Sequence, residues 1–100
     1  MPAYLLFVAS EISDPDKMND YVGGLMPTLQ EAGAKVLAAE DDADVVEGEW
    51  DAASTVIIEF PSMEAATTWY NSEEYKKVAP LRHAASKGDV VFLRGLPPPA

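Results

Sequence analysis

Glu59 is the most unusual polar residue of the sequence, because it lies near the end of the otherwise apolar stretch "STVIIEF", residues 54–60. A carboxylate inside such a strand is costly unless it is paired or near solvent. Two interpretations are open. Glu59 could be a catalytic carboxylate that transfers a proton or anchors a ligand at the mouth of a pocket. Alternatively, it could form a structural salt bridge with Arg82 or Arg94.

Arg82 and His83 are adjacent near the end of the second helical region. A guanidinium can hold a ligand carboxylate through two parallel hydrogen bonds, so Arg82 is a candidate ligand-binding residue. The alternative is an arginine that ties the helix end to Glu59 or to a backbone carbonyl. His83, the only histidine, is a candidate catalytic residue or an ordinary surface residue. One histidine cannot form a multi-histidine metal site within one protomer, and no metal site is expected.

Trp69 and Tyr70 are neighbours on a predicted helix, where adjacent side chains point about 100° apart. One can face the sheet while the other leans towards the space between sheet and helices. Aromatic residues with a polar tip often line small-ligand pockets. Trp69, Tyr70 and Tyr21 are therefore candidate ligand-binding residues, with plain core packing as the alternative.

The composition excludes several classes of function. The formal net charge of −10 repels phosphate backbones and anionic membranes, so neither is an expected partner. The absence of cysteine excludes disulfides and thiolate chemistry. No signal peptide or membrane span is apparent, and we expect a cytoplasmic protein. No phosphate-binding loop or catalytic triad spacing occurs, and no cofactor is expected. The acidic residues 40–51 lack calcium-loop spacing and are interpreted as a solvated surface.

The pattern of apolar residues predicts the order β-α-β-β-α-β. Strands are expected at residues 4–12, 34–40, 54–60 and 89–95, with the second at an edge and Gly88 ending the last helix. Asp14 is a suitable N-cap and Pro15 a suitable first residue for the first helix. Its apolar stripe has helical spacing and comprises Met18, Tyr21, Val22, Leu25, Met26 and Leu29. A kink or close packing must offset the unfavourable helix propensities of Gly23, Gly24 and Pro27.

The stretch "WYNSEEY", residues 69–75, predicts that the second helix is split in two. Asn71 ends one segment, and Ser72 caps the next, whose first turn is acidic. The whole pattern favours an α+β class, a ferredoxin-like sandwich with an antiparallel sheet and helices on one face. We expect a single domain over residues 1–96 and a proline-rich tail over residues 97–100.

Both faces of the predicted sheet are largely apolar. In the first strand Leu5 and Phe7 point one way, while Leu6 and Val8 point the other. Helices can cover only one of these faces. A second copy of the same sheet would cover the other, giving a homodimer through sheet faces, that is, a dimeric α/β barrel. Coverage by loops and the proline-rich tail is the alternative.

Four motifs together resemble one uncharacterised bacterial family. They are "EGEW", "STVIIEFPS", "WYNSEEY" and the "LR" that includes Arg82, and the resemblance spans about residues 4–95. The sequence is similar to the domain-of-unknown-function family thirteen-thirty, of the dimeric α/β-barrel superfamily. This resemblance implies a ferredoxin-like protomer and a sheet-to-sheet homodimer. It implies no established activity, because relatives within one fold differ in chemistry.

Two functional hypotheses follow. In the first, the protein binds or converts a small apolar or aromatic ligand, without a cofactor, in a pocket between sheet and helices. Tyr21, Trp69 and Tyr70 would line it, with Glu59, Arg82 and His83 as polar anchors. In the second, the protein is a non-catalytic dimeric module for assembly or partner binding.

Overall fold

The computed structural model describes residues 1–97, so most of the expected proline-rich tail lies outside the described residues. Seven elements follow one another along the chain. They are β1 (Ala3–Ile12), α1 (Pro15–Glu31), β2 (Lys35–Glu40), β3 (Ser54–Phe60), α2 (Met63–Tyr70), α3 (Glu73–Ala85) and β4 (Ser86–Arg94). None of the helices in this part of the chain is both long and apolar enough to cross a membrane.

The strands form one four-stranded sheet in the order β2-β3-β1-β4, and every neighbouring pair is antiparallel. The apolar β1 and β3 are central, and Leu5 of β1 pairs with Ile58 of β3. β2, which carries Lys35 and Glu40, is at an edge as expected. The α+β class and the ferredoxin-like arrangement are thereby confirmed.

The core lies between this sheet and the helices. β1 alternates between buried and half-buried residues, as expected for a strand with one face under helices. Its helix-facing residues include Leu5 and Phe7, and β3 contributes Ile58 and Phe60 to the same face. Helical residues complete the buried cluster: Tyr21, Leu25, Leu29, Ala66, Trp69 and Tyr75.

α1 begins as predicted, with the Asp14 carboxylate accepting a hydrogen bond from the Lys17 N–H. It packs closely on α3 at Gly24, where an added Cβ would overlap Cγ1 of Val78. Gly23 has open space around it. Close packing therefore accounts for one of the two glycines that the sequence left unexplained.

The break between α2 and α3 is organised by the Ser72 hydroxyl. This hydroxyl donates to the Trp69 carbonyl oxygen at 2.7 Å and accepts from the Tyr75 N–H at 3.2 Å. One side chain thus ends α2 and caps α3. The predicted split of the second helix at Asn71 and Ser72 is confirmed.

The predicted start of the last strand is wrong. β4 begins at Ser86, immediately after α3, and Gly88 lies inside the strand instead of ending the helix. Gly88 approaches the β1 backbone so closely that a Cβ would contact Ala9 Cα at 2.7 Å. This approach lies beside a β-bulge between Ala9 and Glu11. Glycine is used here for close strand packing, which sequence alone does not distinguish from a helix stop.

The sheet face opposite the helices carries exposed apolar residues. Val91 and Leu93 of β4 are 44% and 50% exposed, and they pair with Leu6 and Tyr4 of β1. Ile57 of β3 is on the same face, opposite Leu6. The molecule is accordingly flat, with extents of 43 × 39 × 16 Å. We refer to this surface, formed by Tyr4, Leu6, Val8, Ile57, Val91 and Leu93, as the open sheet face.

Candidate functional site

A cavity of about 350 Å³ lies between α1 and the helix-facing side of the sheet. α1 supplies one wall through the predicted apolar stripe, including Met18, Tyr21 and Leu25. Phe7, Val56 and Ile58 of the central strands supply the other. We call this space the α1–sheet cavity. Its remaining lining residues are Ile12, Pro15, Asn19, Val22, Met26, Val36, Ala39, Asp41 and Ser54.

Local sequence explains why this wall is apolar. Met18, Tyr21, Val22 and Leu25 recur at helical spacing, so they form one face of α1. Along β3, Val56 and Ile58 are two residues apart and therefore point to the same side of the sheet. The volume lies within the range of small-molecule sites, and the lining is mostly apolar, as such sites require.

Tyr21 brings a polar group to this cavity. Its hydroxyl oxygen lies 3.0 Å from the hydroxyl oxygen of Tyr75 on α3, and both residues are buried. The two rings pack edge to face, with centroids 6.3 Å apart. One hydroxyl donates to the other, which places a paired polar group within an apolar surrounding.

Burial raises the pKa of the Tyr21 hydroxyl well above its usual value, and the neighbouring Tyr75 hydroxyl adds to this rise. The positive charge of Arg82 lowers the pKa of Tyr21, but this effect does not cancel the rise. Tyr21 is therefore a neutral phenol at physiological pH. It can donate a hydrogen bond but does not act as a base.

Arg82 is 7% exposed, although it carries a charge. Its guanidinium carbon lies 5.6 Å from the ring centroid of Phe7, a residue of the cavity wall. Nη2 donates to Nε2 of the exposed His83 at 2.9 Å, and Nε has no hydrogen-bond partner among residues 1–97. The structure thus groups Arg82 with Phe7 and Tyr21, while His83 contacts the guanidinium from the surface.

Trp69 and Tyr70 do not line the α1–sheet cavity. Trp69 is buried, donates from Nε1 to the Thr28 hydroxyl at 2.9 Å and stacks on Tyr75 with centroids 4.1 Å apart. It also borders a separate surface groove between α1 and α2. Tyr70 is 38% exposed and leans on Phe92 of β4. The structure places both in an aromatic cluster behind the Tyr21–Tyr75 pair.

Glu59 lies away from these residues. It alternates with Ile58 and Phe60, which face the helices, so its side chain belongs to the opposite side of the sheet. There it pairs across the strands with Tyr4 and Lys35. Among residues 1–97, neither Arg82 nor Arg94 forms an ion pair with it. The expected grouping of Glu59 with Arg82 and His83 is therefore wrong.

His83 contacts Arg82 but lines none of the cavities described here, so the structure does not bring it to the cavity wall. Its Nε2 accepts a hydrogen bond from Arg82, because a guanidinium can only donate. In the described part of the chain, no cluster of acidic or histidine side chains has the arrangement of a metal site.

Sequence reasoning did not select Phe7 or Tyr75 as site residues. In the sequence, Tyr75 belongs to the stretch that predicts the split helix, and Phe7 to one face of the first predicted strand. Phe7 could have been found from strand parity, since it shares a face with Leu5 and Ala9. Nothing in the sequence indicated that the Tyr75 hydroxyl would meet Tyr21, which is 54 residues away.

The arrangement can hold a small apolar molecule and donate a hydrogen bond to it at one end. The Tyr21 hydroxyl supplies this donor at the cavity wall, and the Tyr75 hydroxyl and the Arg82 guanidinium lie next to Tyr21 and Phe7, outside the lining. Asp41, Ser54 and Asn19 add polar groups to the lining.

Fold and site together define a ferredoxin-like α+β protein with an apolar cavity under its first helix. The chain belongs to the family described as Domain of unknown function (DUF1330), which it matches over residues 2–96. The resemblance inferred from the sequence motifs is thereby confirmed. No curated protein matches the sequence significantly.

Solved structures with this fold are similar at low sequence identity. A protein of unknown function from Rhodopseudomonas palustris is 21% identical, with 97% of this chain and 84% of that chain covered and a TM-score of 0.75. A dimeric ferredoxin-like protein of unknown function from Jannaschia sp. CCS1 is 13% identical, with 95% and 100% covered and a TM-score of 0.77.

An antibiotic biosynthesis monooxygenase is more distant in structure. It is 17% identical, with 97% of this chain and 100% of that chain covered and a TM-score of 0.54. Each of these likenesses establishes the fold of this chain and leaves its chemistry open.

Proposed function

We propose that this protein is a homodimer that binds a small apolar or aromatic molecule in the α1–sheet cavity, without a cofactor. The observation that supports this most is the cavity itself. It has about 350 Å³ of space, mostly apolar walls, and the Tyr21 hydroxyl pair at the wall. An apolar cavity with a few convergent polar groups is the usual form of a small-ligand site.

Binding is better supported than acid–base catalysis. Tyr21 keeps its proton, so it orients a ligand by donating a hydrogen bond rather than by removing a proton. Glu59, the expected proton-handling group, lies on the other side of the sheet. If the ligand is converted, the available chemistry is polarisation of a ligand oxygen by Tyr21 and Arg82.

The homodimer is supported by the open sheet face. A contiguous row of exposed and half-exposed apolar residues crosses β4, β1 and β3 there, and such surfaces on soluble proteins mark association sites. Two sheets packed face to face form a core about 10 Å thick. The similar protein from Jannaschia is described as dimeric, which agrees with this assignment.

The ligand proposal is tested by blocking the cavity. Ala39 lines it from the edge strand β2, and Ala39→Phe would place a ring inside it. Thr67→Phe is the control, because Thr67 is exposed on α2 and lines none of the cavities described here. The measurement is a thermal-shift screen of one-ring aromatic acids, amides and amines. At least one compound should stabilise the wild type and the Thr67→Phe variant, and the same compound should not stabilise the Ala39→Phe variant.

Failure of every compound to stabilise the wild type would overturn the ligand proposal. Equal stabilisation of Ala39→Phe and wild type would also overturn it, because the ligand would then sit elsewhere. In the first case the open sheet face would favour the second function, that of a non-catalytic dimeric module for assembly or partner binding.

A further inference from the structure

Arg82 is a buried cation without a counter-charge in the described chain. It is 7% exposed, and no carboxylate of residues 1–97 lies within ion-pair distance of it. The chain has 17 acidic residues, yet none of those described pairs with this buried cation. Buried charges in proteins are normally paired, because desolvating an unpaired charge is very costly.

The neighbours of Arg82 only partly compensate for its charge. Phe7 offers a ring face, His83 accepts one hydrogen bond through Nε2, and the neutral Tyr21 hydroxyl also interacts with the guanidinium. The Nε–H has no acceptor among the residues described. Tyr21 cannot act as the counter-ion, since burial keeps its hydroxyl protonated.

A second donor in the same place also lacks an acceptor. The hydroxyls of Tyr21 and Tyr75 share a single hydrogen bond, so only one of their two protons is used. The other proton finds no acceptor within residues 1–97. Phe7 and Tyr21, which adjoin these donors, line the α1–sheet cavity, whereas Arg82 and Tyr75 lie outside the lining.

We infer that the ligand of the α1–sheet cavity is a small apolar or aromatic carboxylic acid. Its carboxylate would accept a hydrogen bond from Tyr21 at the cavity wall and balance the charge of Arg82, which lies beside Phe7 outside the lining. Its apolar body would pack between Met18 and Leu25 of α1 and Val56 and Ile58 of β3. This inference rests on the proposed function and specifies the chemical class of the ligand.

Both the shape and the charge of the site favour this class. A carboxylate carries a full negative charge, so it can accept a hydrogen bond from the Tyr21 hydroxyl and offset the nearby positive charge of Arg82. The volume of about 350 Å³ is near the lower end of small-molecule sites, which suits a one-ring acid or a short branched acid. The rim residue Asp41 repels anions, and it selects against acids with a second carboxylate at the outer end.

Three probes of one shape test the inference: phenylacetate, phenylacetamide and phenethylamine. Isothermal titration calorimetry at neutral pH should show phenylacetate binding at least about tenfold more tightly than the neutral amide, and the amine most weakly. Arg82→Gln should remove this preference for the acid while leaving amide binding within about twofold of wild type. Lys76→Gln is the matched control, since Lys76 is an exposed cation of the same helix.

A second variant keeps the test valid if Arg82→Gln does not fold. Tyr21→Phe retains the ring and removes the hydroxyl at the cavity wall, and it should weaken phenylacetate by about threefold to tenfold and phenylacetamide by less, because a hydrogen bond to a charged acceptor is the stronger one. Equal binding of acid and amide to the wild type would overturn the carboxylate inference and leave the proposed function in place. Binding of none of the three probes would overturn both.

Discussion

The hydroxyl oxygens of Tyr21 and Tyr75 lie 3.0 Å apart and join α1 to α3. Both side chains are buried, and Tyr75 is only 2% exposed. Because each hydroxyl is the partner of the other, loss of one leaves the second buried without a partner. The pair therefore links the wall of the α1–sheet cavity to the packing of the two helices.

We expect Tyr75→Phe and Tyr21→Phe each to lower the free energy of unfolding by about 1–3 kcal/mol, since each leaves one unsatisfied buried hydroxyl. The double variant should lose less than the sum of the two, because it leaves none. Urea unfolding of the four proteins in a double-mutant cycle measures this coupling. Strictly additive losses would show that the two hydroxyls act independently.

The same pair predicts a specific alkaline dependence of stability. Burial raises the pKa of Tyr21 above 10.0, its ordinary value, so the folded protein keeps a proton that the unfolded chain releases. Tyr21 therefore contributes fully to the free energy of unfolding at pH values below the pKa of its hydroxyl in the unfolded chain. Its contribution declines as the pH rises above that value. The decline is up to about 1.4 kcal/mol per pH unit for one proton.

Other groups also titrate at high pH, so the comparison is made between variants. From about pH 9 to about pH 11, wild type should lose more unfolding free energy than Tyr21→Phe does. Tyr70→Phe is the control and should follow wild type, because Tyr70 is exposed and makes no hydroxyl hydrogen bond within the described chain. Parallel losses in wild type and Tyr21→Phe would refute this account.

Adjacent glycines of α1 should respond to alanine in opposite directions. Gly23 has open space, so Gly23→Ala should gain up to about 1 kcal/mol from helix propensity. At Gly24 the new Cβ would overlap Cγ1 of Val78, whose branched side chain is stiff in a helix. Gly24→Ala should therefore destabilise by about 1–3 kcal/mol.

Thermal or urea unfolding of the two variants distinguishes these effects. The double variant Gly24→Ala with Val78→Ala should recover most of the loss, since it removes the overlapping methyl group. If Gly24→Ala proved as stabilising as Gly23→Ala, the close approach of α1 and α3 would be wrong.

Much of the fold could be predicted because its signals are local. The stripe of α1, the Asp14 cap and the alternation in β1 each depend on residues within a few positions of one another. The split at Ser72 was readable for the same reason. Gly88 was misinterpreted because its role depends on the β1 backbone at Ala9, which is distant in the sequence.

The candidate site was only partly predictable for a related reason. Tyr21 lines the cavity and Arg82 adjoins its wall, whereas Trp69 and Tyr70 lie in the cluster behind it. Residue types alone identify aromatic side chains with a polar tip, but they do not show which of these side chains line a cavity. Strand parity alone would have separated Glu59 from the helix-facing residues Ile58 and Phe60, and this signal was present in the sequence.

Ser72 should matter more to stability than Ser62, although both are N-caps. The Ser62 hydroxyl accepts one hydrogen bond, from the Ala65 N–H, whereas the Ser72 hydroxyl both accepts from Tyr75 and donates to Trp69. Ser62→Ala should cost about 1 kcal/mol, and Ser72→Ala up to about 2 kcal/mol. Urea unfolding of both variants gives the comparison, and equal losses would mean that the bond to the Trp69 carbonyl contributes nothing measurable.

The open sheet face should control the oligomeric state. Val91 is 44% exposed on that face and pairs with Leu6 of the central strand β1. In the proposed dimer, Val91→Glu would place a charge where the second sheet packs. The folded protomer tolerates this charge, because the residue is largely exposed in it. Val91→Thr is the size-matched control, since it adds a hydroxyl without a charge.

Sedimentation equilibrium at micromolar concentration tests this prediction. Wild type and Val91→Thr should sediment at twice the chain mass of 10.8 kDa, while Val91→Glu should sediment at the chain mass and retain the wild-type far-ultraviolet circular dichroism spectrum. A second charged variant outside the face, Val46→Glu, should remain dimeric, because Val46 is 97% exposed in the loop between β2 and β3. Monomeric wild-type protein at these concentrations would contradict the homodimer, and the apolar residues of β1, β3 and β4 would then require a different partner.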